Sequence, residues 1–232
     1  MPSYNGHPRL LATAARWPAG LLLTWWAYVW RITPLHRREV AGSLPDDEPP
    51  ELEGSVSLEN VQRPEDGHGR FLRRRYRVDV IDGELGAAEL MARVCEDPNV
   101  VVPGGLARFH KVHGSDGPLT VGDEFAVRMP GPWDGPVRVI EATPTSFRLA
   151  TLAGHLEAGQ IEWRAEDRAD GLRFEIESWS RPGDRLSDVA HHHLRMAKEV
   201  QLHMWTSVLE RVVKLAGGRM PGGVDIHTVV VD

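Results

Sequence analysis

The sequence predicts an α+β fold, a curved antiparallel sheet of about seven strands wrapped around a long C-terminal helix, with an apolar helix at the N-terminus. Three observations carry this expectation. Short alternating runs separated by turn sequences follow one another after residue 100, a long helix-period segment ends at Gly217-Gly218, and an uncharged tryptophan-rich run precedes them all.

That first run, W-P-A-G-L-L-L-T-W-W-A-Y-V-W, lies between Arg16 and Arg31. As a helix it would be roughly 21 Å long at about 1.5 Å per residue, short of the about 30 Å of a bilayer core. Gly20, Thr24, Ala27 and Arg31 share one narrow stripe, and apolar side chains fill the remaining circumference. Such a helix is buried in protein or placed in lipid. Four of the eight tryptophans, Trp17, Trp25, Trp26 and Trp30, fall here. Indoles favour the headgroup boundary and flanking arginines reach phosphates. The expectation is an in-plane membrane anchor contacting the surface through residues 10–38. The alternative is a helix that packs on its own domain, or on a second copy, through the Gly20/Thr24/Ala27 stripe. A signal peptide fits poorly, because no small-x-small cleavage site follows.

Charge divides the next stretch. Residues 1–40 carry a net +4 and residues 41–66 a net −7, histidines counted neutral. The Pro-rich acidic segment 41–69 reads as an extended linker that holds the following domain away from an anionic surface. The expected organisation is therefore an arm (1–40), a linker (41–69), a domain (70–216) and a tail (217–232). The whole chain of 232 residues has 27 basic and 33 acidic side chains, net −6, which gives no basic field for nucleic acid. A single cysteine, Cys95, forms no internal disulfide and points to a reducing, cytoplasmic location, with membrane association expected from the arm. Its helical surroundings make it a buried, inert thiol.

Inside the domain, Tyr76, Val78 and Val80 alternate with Arg77 and Asp79 as in a half-buried strand. Residues 84–95 follow at helical spacing and stop before Pro98. Strand-like segments then cover 106–113, 124–129, 137–142, 146–152, 159–165 and 172–181, with connections short enough for hairpins. A long helix, about 185–216, ends at the glycine pair. The tail T-V-V-V adds a short edge segment or stays loose. A sheet with alternating faces and one long amphipathic helix must curl over that helix, which is the helix-grip plan and leaves a cavity.

The stretch T-L-A-G-H-L-E-A-G-Q-I-E-W (151–163), followed by G-L-R-F-E-I-E-S-W-S-R-P (171–182), resembles a domain-of-unknown-function family of plants and bacteria in the START-like, polyketide cyclase superfamily (SRPBCC). Matching positions are Thr151, Leu152, Gly154, His155, Glu157, Gly159, Phe174, Ser180, Arg181, Pro182 and Gln201. Gln160 stands where that family usually has Glu, and the tryptophan-rich arm lies outside the resemblance. What the resemblance implies is a cavity for a lipid, sterol or other apolar ligand, with catalysis optional.

Candidate site residues follow from alternation and the helical wheel. Phe125, Phe147, Trp163, Phe174, Gln201 and Trp205 are expected near the cavity. Gln201 is a lone amide in the apolar stripe of the long helix, so it needs a backbone, water or ligand partner. His155 and Glu157 form either an acid/base pair or a turn-stabilising contact. Arg181 is expected to meet an anionic headgroup, while Ser180 caps and Pro182 stops the strand. His192, Glu199 and His203 share a helix face with Arg195, Thr206, Glu210 and Lys214, which reads as the solvated side rather than a metal site. No cofactor motif is present. The leading expectation is binding of a hydrophobic small molecule or lipid. Two alternatives remain, a cyclase, hydratase or hydrolase using His155 and Glu157, and a structural adaptor docking through the arm.

Overall fold

The computed structural model describes residues 33–43, 46–52, 57–129, 134–183 and 191–231, with the backbone alone over 191–200. The tryptophans of the arm therefore lie outside the described residues. In chain order the elements are β1 (Leu35–Ala41), β2 (Phe71–Ile81), α1 (Ala87–Glu96), β3 (Arg108–His113), β4 (Glu124–Arg128), β5 (Asp134–Thr143), β6 (Ser146–Thr151), β7 (Glu157–Arg168), β8 (Gly171–Pro182), α2 (His191–Leu215) and β9 (Val224–Val231).

The seven expected strands are β2 to β8, and they form an antiparallel run in the order β2-β8-β7-β6-β5-β4-β3. Among the described residues the sheet nevertheless has nine strands and is mixed, because β9 pairs antiparallel with β2 and parallel with β1. The expected tail thus supplies an inserted strand. In V-D-I-H-T-V-V-V, buried Val224 and Ile226 alternate with half-exposed Asp225 and His227, the period-2 signal that the T-V-V-V ending obscures. β1 reads L-H-R-R-E-V-A and is mostly exposed, so it offers no hydrophobic alternation. It forms because β9 otherwise presents an open edge. Register shifts at Lys111/His113 and Val139/Glu141 bend the sheet. α2 lies against β2 and β8, and α1 against β7 and β8. The described part of α2 begins at His191, and residues 185–190 of the expected helix lie outside the described residues.

The register sorts side chains into two faces. One inner row runs Tyr76, Ile176, Trp163, Phe147 across β2, β8, β7 and β6. On the outer face a row of charges runs Arg75, Glu177, Glu162, Arg148, Glu141 across β2, β8, β7, β6 and β5. Burial of Glu162 pushes its carboxyl above the usual range, against the lowering pull of Arg164 and Arg148.

The segment expected to be an extended linker is, in its described parts, laid across this outer face. Arg73 donates to Asp47 at 3.1 Å and to Glu177 at 2.8 Å. The Pro50 and Glu51 carbonyls accept from Gln160 and Arg148, both at 3.3 Å. Arg138 donates to the Ser57 and Glu59 carbonyls at 2.7 and 2.8 Å. Leu52 and Val61 pack on Ile140 and Ala150. Acidic groups and carbonyls thus meet sheet arginines, which draws the segment in. Gln160, the departure from the resembled pattern, supplies an N–H that a glutamate lacks.

Arg138 also pairs with Glu124 at 2.5 Å and is buried. Replacing it (Arg138→Met) should cost about 2–3 kcal/mol of stability through its unpaired carbonyl and carboxylate partners. Hydrogen exchange should then show lost protection over residues 57–61 with β7 and β8 unchanged. Retained protection there would remove Arg138 as the anchor of the segment.

Candidate functional site

The inner face changes character along its length. At its centre Trp163 is fully buried and touches four rings. Phe147 lies 5.3 Å away between centroids, Trp205 of α2 5.8 Å, Phe174 6.2 Å and Phe109 6.3 Å. Phe125 stacks edge-on against Phe109 at 6.0 Å. The aromatic residues expected near a cavity are therefore all on one face, and their rings occupy its middle. Among the described residues the Nε1 donors of Trp163 and Trp205 are buried without an acceptor, a cost of about 1–3 kcal/mol each.

Two residues along each strand, the row becomes Arg74, Ser178, Ile161, Leu149, and the next pairs Leu72, Ser180 and Gly159. Glu157 stands one step further, opposite Pro182. Gln201 projects from α2 into this polar end. Its Oε1 accepts from Arg74 Nη1, and its Nε2 donates to both Glu157 oxygens at 3.3 Å. The partners fix the amide orientation, since a guanidinium only donates and a carboxylate only accepts. Ser180 Oγ donates to Glu157 Oε2 at 3.5 Å. Arg74 is buried, as are Ser178 and Ser180.

Gly159 allows this geometry. A β-carbon there would stand 1.9 Å from the Trp179 carbonyl oxygen, so β7 and β8 approach more closely than any other residue permits. Thr151 Oγ1 completes the junction by accepting from the Gly159 N–H at 2.9 Å.

His155 has a different role from an acid/base partner of the Glu157 carboxylate. Its Nδ1 accepts from the Glu157 backbone N–H at 2.9 Å, closing the turn. The carboxylate turns to Gln201 and Ser180 instead. The ring also packs over Gly135, where a β-carbon would come within 2.8 Å of Cδ2 and Nε2. Desolvation holds the imidazole pKa below its ordinary value, against the raising influence of the Glu157 charge.

Other expected residues fall elsewhere. Arg181 is on the outer face, 5.9 Å over the Phe71 ring and bonded to the Gly69 carbonyl at 3.1 Å. The sheet separates it from Gln201. His203 and Thr206, expected on a solvated face of the long helix, are buried. Cys95 is half-buried and burial pushes its thiol up to about 11. Among the described residues no three His, Cys, Asp or Glu side chains gather as a metal site, and no described helix is long and apolar enough to cross a membrane. Two surface concavities lie away from the polar end. One of ≈ 200 Å³ is lined by Arg75, Arg77, Arg164, Arg173 and Glu175 on the outer face, and one of ≈ 460 Å³ lies between α1 and Leu215.

Arg74 was not among the expected site residues, although its signal was present. It shares parity with Tyr76, Val78 and Val80, so extending the alternation by two residues turns it inward. The R-R-R run masks that parity. Ser180, read as a cap, is a partner of Glu157.

A family model described as a domain of unknown function (DUF1990) matches residues 103–211, just under half of the chain. The match spans β3 to most of α2 and so includes His155, Glu157, Ser180 and Gln201 but not Arg74. Partial likeness extends to solved structures. CalU16 from Micromonospora echinospora shares 18% identity over 66% of this chain and 69% of its own, with a TM-score of 0.39. The di-domain ARO/CYC StfQ from the steffimycin biosynthetic pathway shares 9% over 66% and 52%, with a TM-score of 0.48. The KanY protein shares 13% over 62% and 95%, with a TM-score of 0.44. No curated protein matches the chain.

The depressed His155 pKa has a pH consequence. The unfolded chain takes up this proton first, so stability falls as pH drops below about 6.5, the unfolded value. His155→Asn keeps an acceptor for the Glu157 N–H and removes the titration. Its Tm should fall less between pH 7 and pH 5 than that of the native chain. An unchanged slope would show that His155 is not a contributor.

Proposed function

We propose that the inner face binds an apolar small molecule or lipid carrying a hydrogen-bonding polar end, with that end at Gln201 and α2 gripping the ligand against the curved sheet. The observation that carries this reading is the Arg74–Gln201–Glu157 relay between helix and sheet, in which Arg74 is buried and Gln201 and Glu157 are half-buried. Burying an arginine beside an aromatic cluster costs several kcal/mol unless it is fully paired. A hydrophobic pair would close the same gap more stably. Buried polar groups convergent on one apolar face are the usual makeup of a small-molecule site.

The two unpartnered indole donors support the same reading. An oxygen-bearing apolar ligand gives Trp163 and Trp205 the acceptors they lack among the described residues. Because rings fill the middle of the face, the ligand enters at the Gln201 end and displaces side chains inward from there. The polar end sets orientation and the rings supply contact area.

The fluorescent amphipath 11-(dansylamino)undecanoic acid tests this with the full chain. Binding should saturate at one molecule per chain. Gln201→Leu and Arg74→Met should each weaken it about tenfold, the equivalent of 1.4 kcal/mol, with near-UV circular dichroism unchanged. Arg181→Met, on the outer face, should leave it unaltered. Non-saturable binding, or binding indifferent to both inner-face substitutions, would refute the proposal.

A further inference from the structure

The two halves of the outer face treat their arginines differently. Toward one end, Arg73 receives the Asp47 carboxylate, Arg148 the Glu51 carbonyl and Arg138 the carbonyls of Ser57 and Glu59. Toward the other end, Arg75 and Arg77 of β2, Arg164 and Arg168 of β7 and Arg173 of β8 receive no acceptor from the described parts of that segment. These five guanidiniums surround a concavity of ≈ 200 Å³, and Glu166 and Glu175 complete its lining.

The concave shape follows from side-chain length. β8 lies between β2 and β7, with neighbouring strands about 4.8 Å apart. Its outward residue Glu175 is short and buried, and stands between Arg77 of β2 and Arg164 of β7 in register. Longer arginines on both flanking strands wall it in. Glu175 itself is committed to Arg164 Nη2.

Acids do not use up the positive charge. Arg77 pairs with Asp225 at 2.8 Å, Arg173 with Asp79 at 2.7 Å and Arg168 with Glu166 at 2.8 Å. Those three carboxylates are 49%, 54% and 62% exposed, so water competes for them and such pairs hold weakly. Arg77 Nε has no acceptor among the described residues. Arg75 reaches an acid only at 3.9 Å, on Glu175, beyond hydrogen-bonding distance. Once each acid has taken its arginine, the charge of Arg75 is left over. His227 stands opposite Arg75 on β9 and registers the local field. Desolvation, followed by the charges of Arg75, Arg38 and Arg73, holds its imidazole pKa below the ordinary value.

We propose that this concavity binds a phosphate group, gripped by Arg75 and Arg77 from one side and by Arg164 from the other. Guanidiniums donate through planar forks that match phosphate oxygens. Forks approaching from two strands suit a tetrahedral group with several oxygens, whereas a planar carboxylate engages one fork. The site shares no residue with the inner face, from which the sheet separates it, so the two faces stand or fall independently.

Titration of the full chain with inorganic phosphate, at an ionic strength held constant with sodium chloride, tests this by nuclear magnetic resonance. The Nε–H signals of Arg75 and Arg77 should shift and saturate, while that of Arg93 on α1 stays in place. Arg75→Gln and Arg77→Gln should each weaken binding about tenfold, with near-UV circular dichroism unchanged, and Arg93→Gln should leave it unaltered. Phosphatidylcholine vesicles containing phosphatidic acid separate the sources of the group. Cosedimentation that Arg77→Gln abolishes assigns it to a lipid headgroup, and saturable phosphate binding without cosedimentation assigns it to a soluble molecule. Shifts that grow without saturating, or saturable binding unaltered in both variants, overturn the proposal.

Discussion

Trp163 is the contact on which the arrangement of the molecule depends. Its indole is fully buried and meets rings from β3, β6, β8 and α2. One side chain thereby sets how close the helix comes to the sheet and at which point along it. A smaller residue would leave a cavity of the kind that costs about 3–5 kcal/mol for an aromatic truncation, and it would free α2 to slide. Because α2 is held at Trp205, the next turn toward its N-terminus places Gln201 four residues away on the same side. The amide then falls between Arg74 and Glu157. Packing at the ring cluster thus positions the polar relay.

The two faces of the sheet handle charge differently. On the outer face, acids and arginines are interspersed across neighbouring strands, and the described parts of the acidic segment, 46–52 and 57–62, add carboxylates and carbonyls above them. This segment, with β1 and β9, extends the folded unit well beyond the central sheet. On the inner face the charges of Arg74 and Glu157 stand at one end and are bridged by a neutral amide. Gln201 prevents Arg74 and Glu157 from collapsing into a direct pair while satisfying one group of each. A site of that type keeps its donors and acceptors oriented toward a ligand without a net charge of its own. His155, committed to the Glu157 main chain, holds the turn that presents this carboxylate. His155 Nδ1 therefore bonds the Glu157 main chain, while the Glu157 carboxylate bonds Gln201 and Ser180.

Much of this was legible before any coordinates. Alternation in Y-R-V-D-V and the turn-bounded runs after it located strands, because a half-buried strand must alternate. The ring cluster and Gln201 followed from the same rule and from the helical wheel. What escaped had physical causes. β1 is an edge strand of polar residues and carries no hydrophobic signal, since its hydrogen bonds to β9 form it. The acidic segment looked like a solvated linker, because its partners are arginines distant in sequence whose outward direction is visible only with register. Arg74 was hidden in a run of three arginines of opposite parities. His203 and Thr206 looked solvated on a wheel, which assigns faces by polarity and cannot see which of them the rest of the chain buries.

The central claim is that the face shared by Trp163, Gln201 and Arg74 holds a ligand. Native mass spectrometry of the full chain purified from its own host, without detergent or added lipid, addresses it most directly. The account predicts one non-covalent adduct per chain, of a few hundred daltons, that extracts into organic solvent and is lost from the Gln201→Leu variant. A bare polypeptide mass for the native chain, or an adduct retained equally by Gln201→Leu, would contradict it.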